Sequence, residues 1–281
     1  MPASSHLPYR LGLPAWAFPG WRDRYFSSSR PALSEYATVF NTVEGNTTFY
    51  RIPNRDTVQS WRRSVEERDF RFCFKLPRSV THERRPALDD LQAFIRSVEP
   101  LEGAMGPLLL QFPARVGPNQ LPLIESIVQH LPEHWTGALE VRHPAFFSEP
   151  EQLDPLLQKF ALGRVMLDTR ALYAGDPSHP DVVKARHEKP DLPVLETVYN
   201  DLAFIRLVLH PEWASNEVYV KDWATKAAGY LGHGQQVFMM MHCPNNLHCP
   251  EQALTFHREL GRHLDLPELP AWPLPQQQML L

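Results

Sequence analysis

The chain is predicted to be an α/β protein, a (β/α)8 TIM-type barrel forming a single domain over residues 9–265, with a flexible, proline-rich and extended tail over 266–281. Three observations predict it. Eight short apolar segments alternate with mostly helical ones over a length typical of one such barrel, about 250 residues. No Gly-rich phosphate turn follows the first segment, which weakens the rival doubly wound open sheet. Residues 107–113, PLLLQFP, are almost wholly apolar, as a parallel strand covered on both faces should be.

In chain order, residues 10–16 form a short apolar run stopped by Pro14 and an aromatic, and 32–40 reads as a short helix. The second strand, FNTVEGNTT at 40–48, puts Thr42, Glu44, Asn46 and Thr48 on one face. Val58, Trp61 and Val65 recur at helical spacing over 55–67. FRFCFKLP at 70–77 alternates aromatics with Arg71, Cys73 and Lys75 and ends at Pro77. A helix with an acidic start is expected at 89–101, strand four at 107–113 and a helix at 121–131.

Strand five is GALEVRH at 137–143. Alternation puts Ala138, Glu140 and Arg142 on one face and Leu139 and Val141 on the other. A helix at 149–160 leads to strand six at 162–170, where Asp168 and Arg170 share a face. Residues 171–200 break the rhythm with four prolines and a basic cluster of Lys184, Arg186, His187 and Lys189, too long for a plain connection. Strand seven at 202–210, a helix at 218–231, strand eight at 235–242 and a helix at 251–264 complete the series.

Composition narrows the partners. The 281 residues are 43% hydrophobic, enough for a large core, and carry 28 Lys and Arg against 32 Asp and Glu, a net charge of −4. No bulk cationic field draws such a chain to nucleic acid or an anionic membrane, so any anion binding is local. The start lacks a basic n-region with an apolar run behind it, and no later run approaches spanning length, so no membrane partner and a cytoplasmic location are expected. The three cysteines Cys73, Cys243 and Cys249 make no disulfide framework.

Barrels carry their binding and catalytic groups at the C-terminal ends of the strands. Those ends supply Trp16, Glu44 with Asn46, Lys75, Gln111, Glu140 with Arg142, Asp168 with Arg170, Arg206 with His210, and His242. Buried charges of both signs on apolar strands are costly unless paired or used. One outcome is a self-neutralising ion network that plugs the mouth; the other, favoured here, is a working pocket. Lys75, Arg142 and Arg206 suit a phosphate or carboxylate, because guanidinium forks match planar oxyanions. Glu44, Glu140 and Asp168 then serve as general acid and base, one pKa being raised by like-charged neighbours, or join His143, His210 or His242 as ligands of a divalent metal.

Four stretches resemble the YecE-like family, domain of unknown function seventy-two: FNTVEGNTTFYRIP at 40–53, FRFCFKLPRSVTHERR at 70–85, PLLLQFP at 107–113 and ALEVRHPAFF at 138–147. The resemblance runs over nearly the whole chain. It implies a TIM-type barrel and a pocket without specifying a reaction. The positions it carries over are Glu44, Asn46, Thr48, Tyr50, Lys75, His82, Glu83, Glu140, Arg142 and His143, with Asp168 and Arg206. The chain departs from the pattern at LPAWAF in strand one and at MMHCPNN after strand eight.

Weaker signals lie outside these stretches. His242, Cys243, His248 and Cys249 are close in sequence but match no standard zinc spacing, so a loop is preferred. THERR at 81–85 is either an anion-clamping rim or a solvated charge run. The terminal Gln277-Gln278-Met279-Leu280-Leu281 resembles the peptide that bacterial replication-clamp partners insert into the clamp, although a frayed end is the commoner meaning of so short a motif. The leading expectation is an enzyme, a hydrolase or isomerase, acting on a small or nucleic-acid-derived, phosphate-bearing anion by acid–base or metal-assisted chemistry. The alternative is a non-catalytic binding protein for a phosphorylated ligand whose tail recruits a sliding clamp.

Overall fold

Eight parallel strands and twelve α-helices alternate along the described residues, 7–27 and 30–272, of this computed structural model. The strands are β1 (Arg10–Gly12), β2 (Thr42–Gly45), β3 (Arg71–Phe74), β4 (Leu108–Gln111), β5 (Gly137–Glu140), β6 (Gly163–Asp168), β7 (Leu202–Val208) and β8 (Gln236–His242). The helices are α1 (Ala32–Tyr36), α2 (Thr47–Tyr50), α3 (Arg55–Val65), α4 (Arg78–Thr81), α5 (Leu88–Val98), α6 (Leu121–Val128), α7 (Ala145–Ser148), α8 (Asp154–Lys159), α9 (Arg170–Ala174), α10 (Pro180–Glu188), α11 (Glu217–Gly232) and α12 (Cys249–Leu260). Hydrogen bonding divides the strands into a curled six-stranded sheet, in the order β1-β8-β7-β6-β5-β4, and a two-stranded sheet of β2 and β3.

Both seams between the sheets are bridged. At one, the Gly106 amide donates to Phe72 O at 2.9 Å and the Leu76 amide to Leu109 O at 3.1 Å. At the other, the Glu44 amide donates to Leu13 O at 3.0 Å, while the Asn41 side chain accepts from the Leu11 amide and donates to Tyr9 O, each at 2.8 Å. Gly12 permits this approach: a Cβ there would lie 2.4 Å from the Thr42 carbonyl oxygen.

Two packed layers follow from alternation along the strands. Leu110, Leu139, Met166, Ile205 and Met239 face the helices. Cys73, Leu109, Ala138, Val165, Phe204, Phe238 and Met240 form a separate interior cluster, in which Phe204 and Phe238 stack with ring centroids 5.9 Å apart. Helix α3 shows how the outer ring is specified. Asn54 caps it by accepting from the Thr57 amide at 2.8 Å, Asp56 and Arg62 complement its dipole, and Val58 and Val65 are buried. On α11, Val220, Trp223, Ala224 and Ala227 are buried at helical spacing.

Several expectations need correction. The helix expected at 149–160 is a 3-10 turn at Pro150–Leu153 followed by the short α8, because Pro150 and Pro155 remove backbone donors, and the separate α7 precedes it. The segment 171–200 contains α9 and α10. Residues 266–272 of the tail carry no helix or strand but are packed: Trp272 lies against Tyr25, Phe26 and Phe40, with centroids 5.0, 5.9 and 6.1 Å apart, and Pro267 O meets His257 Nε2 at 3.1 Å. The motif at Gln277–Leu281 falls outside the described residues. No helix among the described residues is long and apolar enough to cross a membrane.

The interior cluster sets a stability test. Phe204→Ala removes a fully buried ring and is expected to lower unfolding stability by about 3–5 kcal/mol, read as a lower urea midpoint at unchanged m-value. A midpoint equal to wild type would show that these side chains do not share a packed interior.

Candidate functional site

The mouth of the sheet grows directly out of the interior layer. Two residues beyond inward-facing Cys73, Leu109, Ala138, Phe204 and Met240 stand Lys75, Gln111, Glu140, Arg206 and His242, all buried. A period of two therefore converts an apolar plug into a polar floor. Above it lies a cavity of about 960 Å³ lined by Trp16, Glu44, Asn46, Tyr50, Lys75, His82, Gln111, Arg142, Lys189, Arg206 and His242, among others.

Arg206 occupies the centre of the floor. It donates through Nε and Nη2 to the two oxygens of Glu44, both at 2.7 Å, and through Nη1 to Glu140 Oε2. The other Glu140 oxygen accepts from Arg142 Nε at 2.7 Å. Asn46 Nδ2 donates to Glu44 Oε1 at 2.8 Å and to Pro14 O at 3.0 Å, which ties the loop after β1 to the network. His242 Nε2 stands 3.0 Å from Glu44 Oε2, so the ring donates from Nε2.

These contacts determine the charge states. Burial pushes the Glu140 carboxyl up, but Arg206 and Arg142 outweigh it and hold the group at about 2. Glu44 follows the same logic, with burial overcome by Arg206 and His242, and lies well below the usual range. The carboxylates therefore do not raise one another's pKa: Arg206 stands between them. His242, depressed by burial to about 4, is a neutral ring.

Two lysines lack such compensation. Lys75 Nζ rests 3.8 Å from the centroid of the Phe49 ring, and among the described residues no carboxylate lies within ion-pair distance of it. Burial, with Arg206 next in weight, lowers it to about 7. Lys189 is lowered to about 8 by the same causes in the same order. His82 packs edge-on against Phe49 with centroids 4.8 Å apart, and burial followed by the nearby Lys75 charge depresses it to about 4.

The other expected residues are placed as follows. Trp16 packs edge-on to Trp61 at 5.1 Å and forms a wall, Tyr50 is 79% exposed at the rim, and Gln111 faces the cavity with no side-chain hydrogen bond among the described residues. Thr48 is buried and outside the lining, its single hydroxyl proton shared between Lys75 O at 2.7 Å and Gly45 O at 2.8 Å. His143 is not in the lining; its Nδ1 accepts from the Ala145 amide at 3.2 Å at the start of α7.

Asp168 is not brought to the mouth. The inward residues of β6 are Val165 and Leu167, so Asp168 points toward the helices, where it accepts from Trp223 Nε1 at 2.7 Å and from the Arg170 guanidinium. Arg170 also meets Asp222 at 3.4 Å. Alternation groups Asp168 with Arg170 but cannot assign the face.

Lys189 and Phe49 are not among the residues expected at the site, and His242, expected at a strand end and as a possible metal ligand, instead bonds Glu44. Lys189 reaches the cavity because Arg142 Nη1 donates to Glu188 O at 3.0 Å and Tyr173 OH to Lys189 O at 2.7 Å, folding the end of α10 over the mouth. The only sequence signal for it was the basic cluster ending at residue 189. Among the described residues no three His, Cys, Asp or Glu side chains converge as a metal-binding group, and the Glu44 oxygens already serve Arg206, Asn46 and His242. Cys243 and Cys249 are buried free thiols.

Comparison with known proteins is consistent with this frame. The family described as Protein of unknown function DUF72 matches residues 10–278. The UPF0759 protein YecE of Escherichia coli K12 is 33% identical over 276 residues, covering 96% of this chain and 98% of that protein, and its counterpart in Escherichia coli O157:H7 aligns to the same extent. A DUF72 family protein from Enterococcus faecalis V583 superposes with a TM-score of 0.68 at 21% identity, over 94% of this chain and 100% of the other. Another, from Thermotoga maritima MSB8, gives 0.66 at 21% identity over 90% and 98%. The α/β fold is thus shared with both solved structures, and the family match together with the near end-to-end alignment to YecE makes this chain a member of the DUF72 family.

Proposed function

We propose that the eight strands constitute a closed (β/α)8 barrel and that its mouth binds a small, phosphate-bearing anion on which the protein acts as an acid–base enzyme, a hydrolase or isomerase. One observation carries this reading. The two carboxylates of the floor are already matched by Arg206 and Arg142, while Lys75 and Lys189 enter the same cavity with no carboxylate partner among the described residues. A buried ammonium at Lys75 beside a half-buried one at Lys189 is costly, and an anionic ligand offsets that cost. The Nη2 nitrogen of Arg142, which makes no hydrogen bond with the described residues, suits the same anion.

Roles follow from charge. Glu44 and Glu140 stay ionised and hold the guanidinium groups in place. A proton carrier works best with a pKa near the operating pH, which favours Lys75 at about 7 over either carboxylate. Metal-assisted hydrolysis has less support because the oxygens that would coordinate a cation are engaged by Arg206. A non-catalytic binding protein is the second reading, favoured by the mutual saturation of the floor charges; tight binding without turnover separates it from the first.

Sulfate provides a direct test, since its charge is constant across the range in question. Its affinity is expected to fall as the pH rises through about 7 and about 8, where Lys75 and Lys189 lose their protons. At a hundredfold excess over Kd it should stabilise the fold by about 2.7 kcal/mol, seen as a raised Tm. Lys75→Met with Lys189→Met should abolish the effect; an unchanged Tm shift in that double variant would remove the cavity from consideration as the anion site.

The floor also makes stability depend on pH. Glu140 sits at about 2 in the fold against an ordinary 4.5, so its contribution is complete above 4.5 and is lost as the pH falls toward 2. His242 is at about 4 against 6.5, so the unfolded chain binds the extra proton between those values and acidification costs stability there too. Urea midpoints measured across this range should fall continuously from pH 6.5 downward, and His242→Gln should flatten the upper part. Arg206→Met, which strands both carboxylates, should cost about 3–5 kcal/mol; a loss within error of zero would mean the floor is not an ion network in solution.

A further inference from the structure

We propose that Lys75 is a carbonyl-condensing nucleophile, so that the cavity takes an aldehyde or ketone bearing an anionic group and joins it to Nζ as a Schiff base. The inference rests on the reading of the cavity as an anion site and narrows its substrate to a class.

The geometry is that of a held amine whose charged form has a ring contact with Phe49 but no carboxylate ion pair among the described residues. Thr48 Oγ1 donates to Lys75 O at 2.7 Å, and the Lys75 amide donates to Gly45 O at 3.3 Å, so the backbone that carries the side chain is pinned on both sides. Nζ lies over the Phe49 ring rather than against a carboxylate, and opens into a cavity large enough for a small sugar-sized compound. An amine becomes nucleophilic only when neutral, and the two devices that achieve this in water are desolvation and a neighbouring cation. Both are present: Lys75 is 9% exposed, and Arg206 from β7 and Arg142 beyond β5 act on it. The opposing groups are Glu44 from β2 and Glu140 from β5, each committed to a guanidinium, and His82 after α4 is neutral. A lysine used only as a structural counter-ion would be expected beside a free carboxylate.

The step balances without an external oxidant or reductant. The neutral amine attacks the carbonyl carbon, the C–N bond forms, and the π pair moves to oxygen, which gains a proton as nitrogen loses one. The C–O bond of this carbinolamine then breaks. Oxygen leaves as water, taking one further proton from solution, and the nitrogen lone pair completes a protonated imine. The Gln111 amide, which lines the same cavity and has no side-chain hydrogen bond among the described residues, is a donor for the departing oxygen. Lys189 and Arg142 are left to hold the anionic group.

Reductive trapping on the intact, unmodified chain tests this. The protein is incubated with glyoxylate and cyanoborohydride, and modified lysines are located by peptide mass mapping. Lys75 should be alkylated at least about tenfold faster than Lys221, an exposed lysine of α11, with a rate that rises with pH around a midpoint near 7. Neutral acetaldehyde should lose that preference, because it lacks the group that Lys189 and Arg142 hold. If glyoxylate competes with sulfate yet Lys75 is labelled no faster than Lys221, the anion site stands and the Schiff-base inference is overturned. If glyoxylate and acetaldehyde label Lys75 with equal preference, the nucleophile stands and the anion reading fails. Absence of both competition and preferential labelling overturns the two together.

Discussion

Arg206 is the residue on which the mouth of this fold depends. It is 2% exposed and joined to Glu44, 162 positions earlier, and to Glu140, 66 positions earlier. None of the three charges is tolerable in that environment alone, since removing one partner of a buried pair leaves an uncompensated ion. The network therefore couples β2, β5 and β7 in an all-or-none fashion. Through His242 and Asn46 it extends to β8 and to the loop after β1. A fully satisfied set of this kind specifies one arrangement, because each alternative strands a charge.

That arrangement has an electrostatic remainder. The carboxylates and guanidinium groups of the floor cancel, Arg78 and Glu188 oppose each other in the lining, and Lys75 and Lys189 leave an excess of positive charge. A chain with a net charge of −4 thus encloses a locally cationic site. Burial, and after it the charge of Arg206, depress the lysines, outweighing the opposite pull of Glu44 and Glu140. The same burial that makes them expensive makes them responsive, to an anion in one case and to loss of a proton in the other.

The site is also a product of layering. An apolar interior of Cys73, Leu109, Ala138, Val165, Phe204, Phe238 and Met240 excludes water beneath the charged floor. The aromatic wall of Trp16 and Trp61 shields one side. Polar groups are confined to a single level by strand periodicity, and they are strong there because the level below is dry.

Much of this was legible in the sequence. Apolar segments with strand or helix periodicity identified all eight strands and most of the helices, because burial of one face imposes those periods. The charged ends of the strands followed from the same alternation, and Glu44, Lys75, Gln111, Glu140, Arg142 and Arg206 do meet. Three things were decided only by the tertiary structure. Alternation groups residues on a face without saying which face is inward, so Asp168 turned to Trp223 and the helices. Lys189 comes from a segment with no strand period, and hydrogen bonds from Arg142 and Tyr173 place its backbone. The direction of the carboxylate pKa values depended on what stands between Glu44 and Glu140; like charges alone imply a rise, and the guanidinium of Arg206, brought there from a distant strand, reverses it. Local sequence sets which side chains travel together, while the sign and strength of their interactions belong to neighbours that only folding supplies.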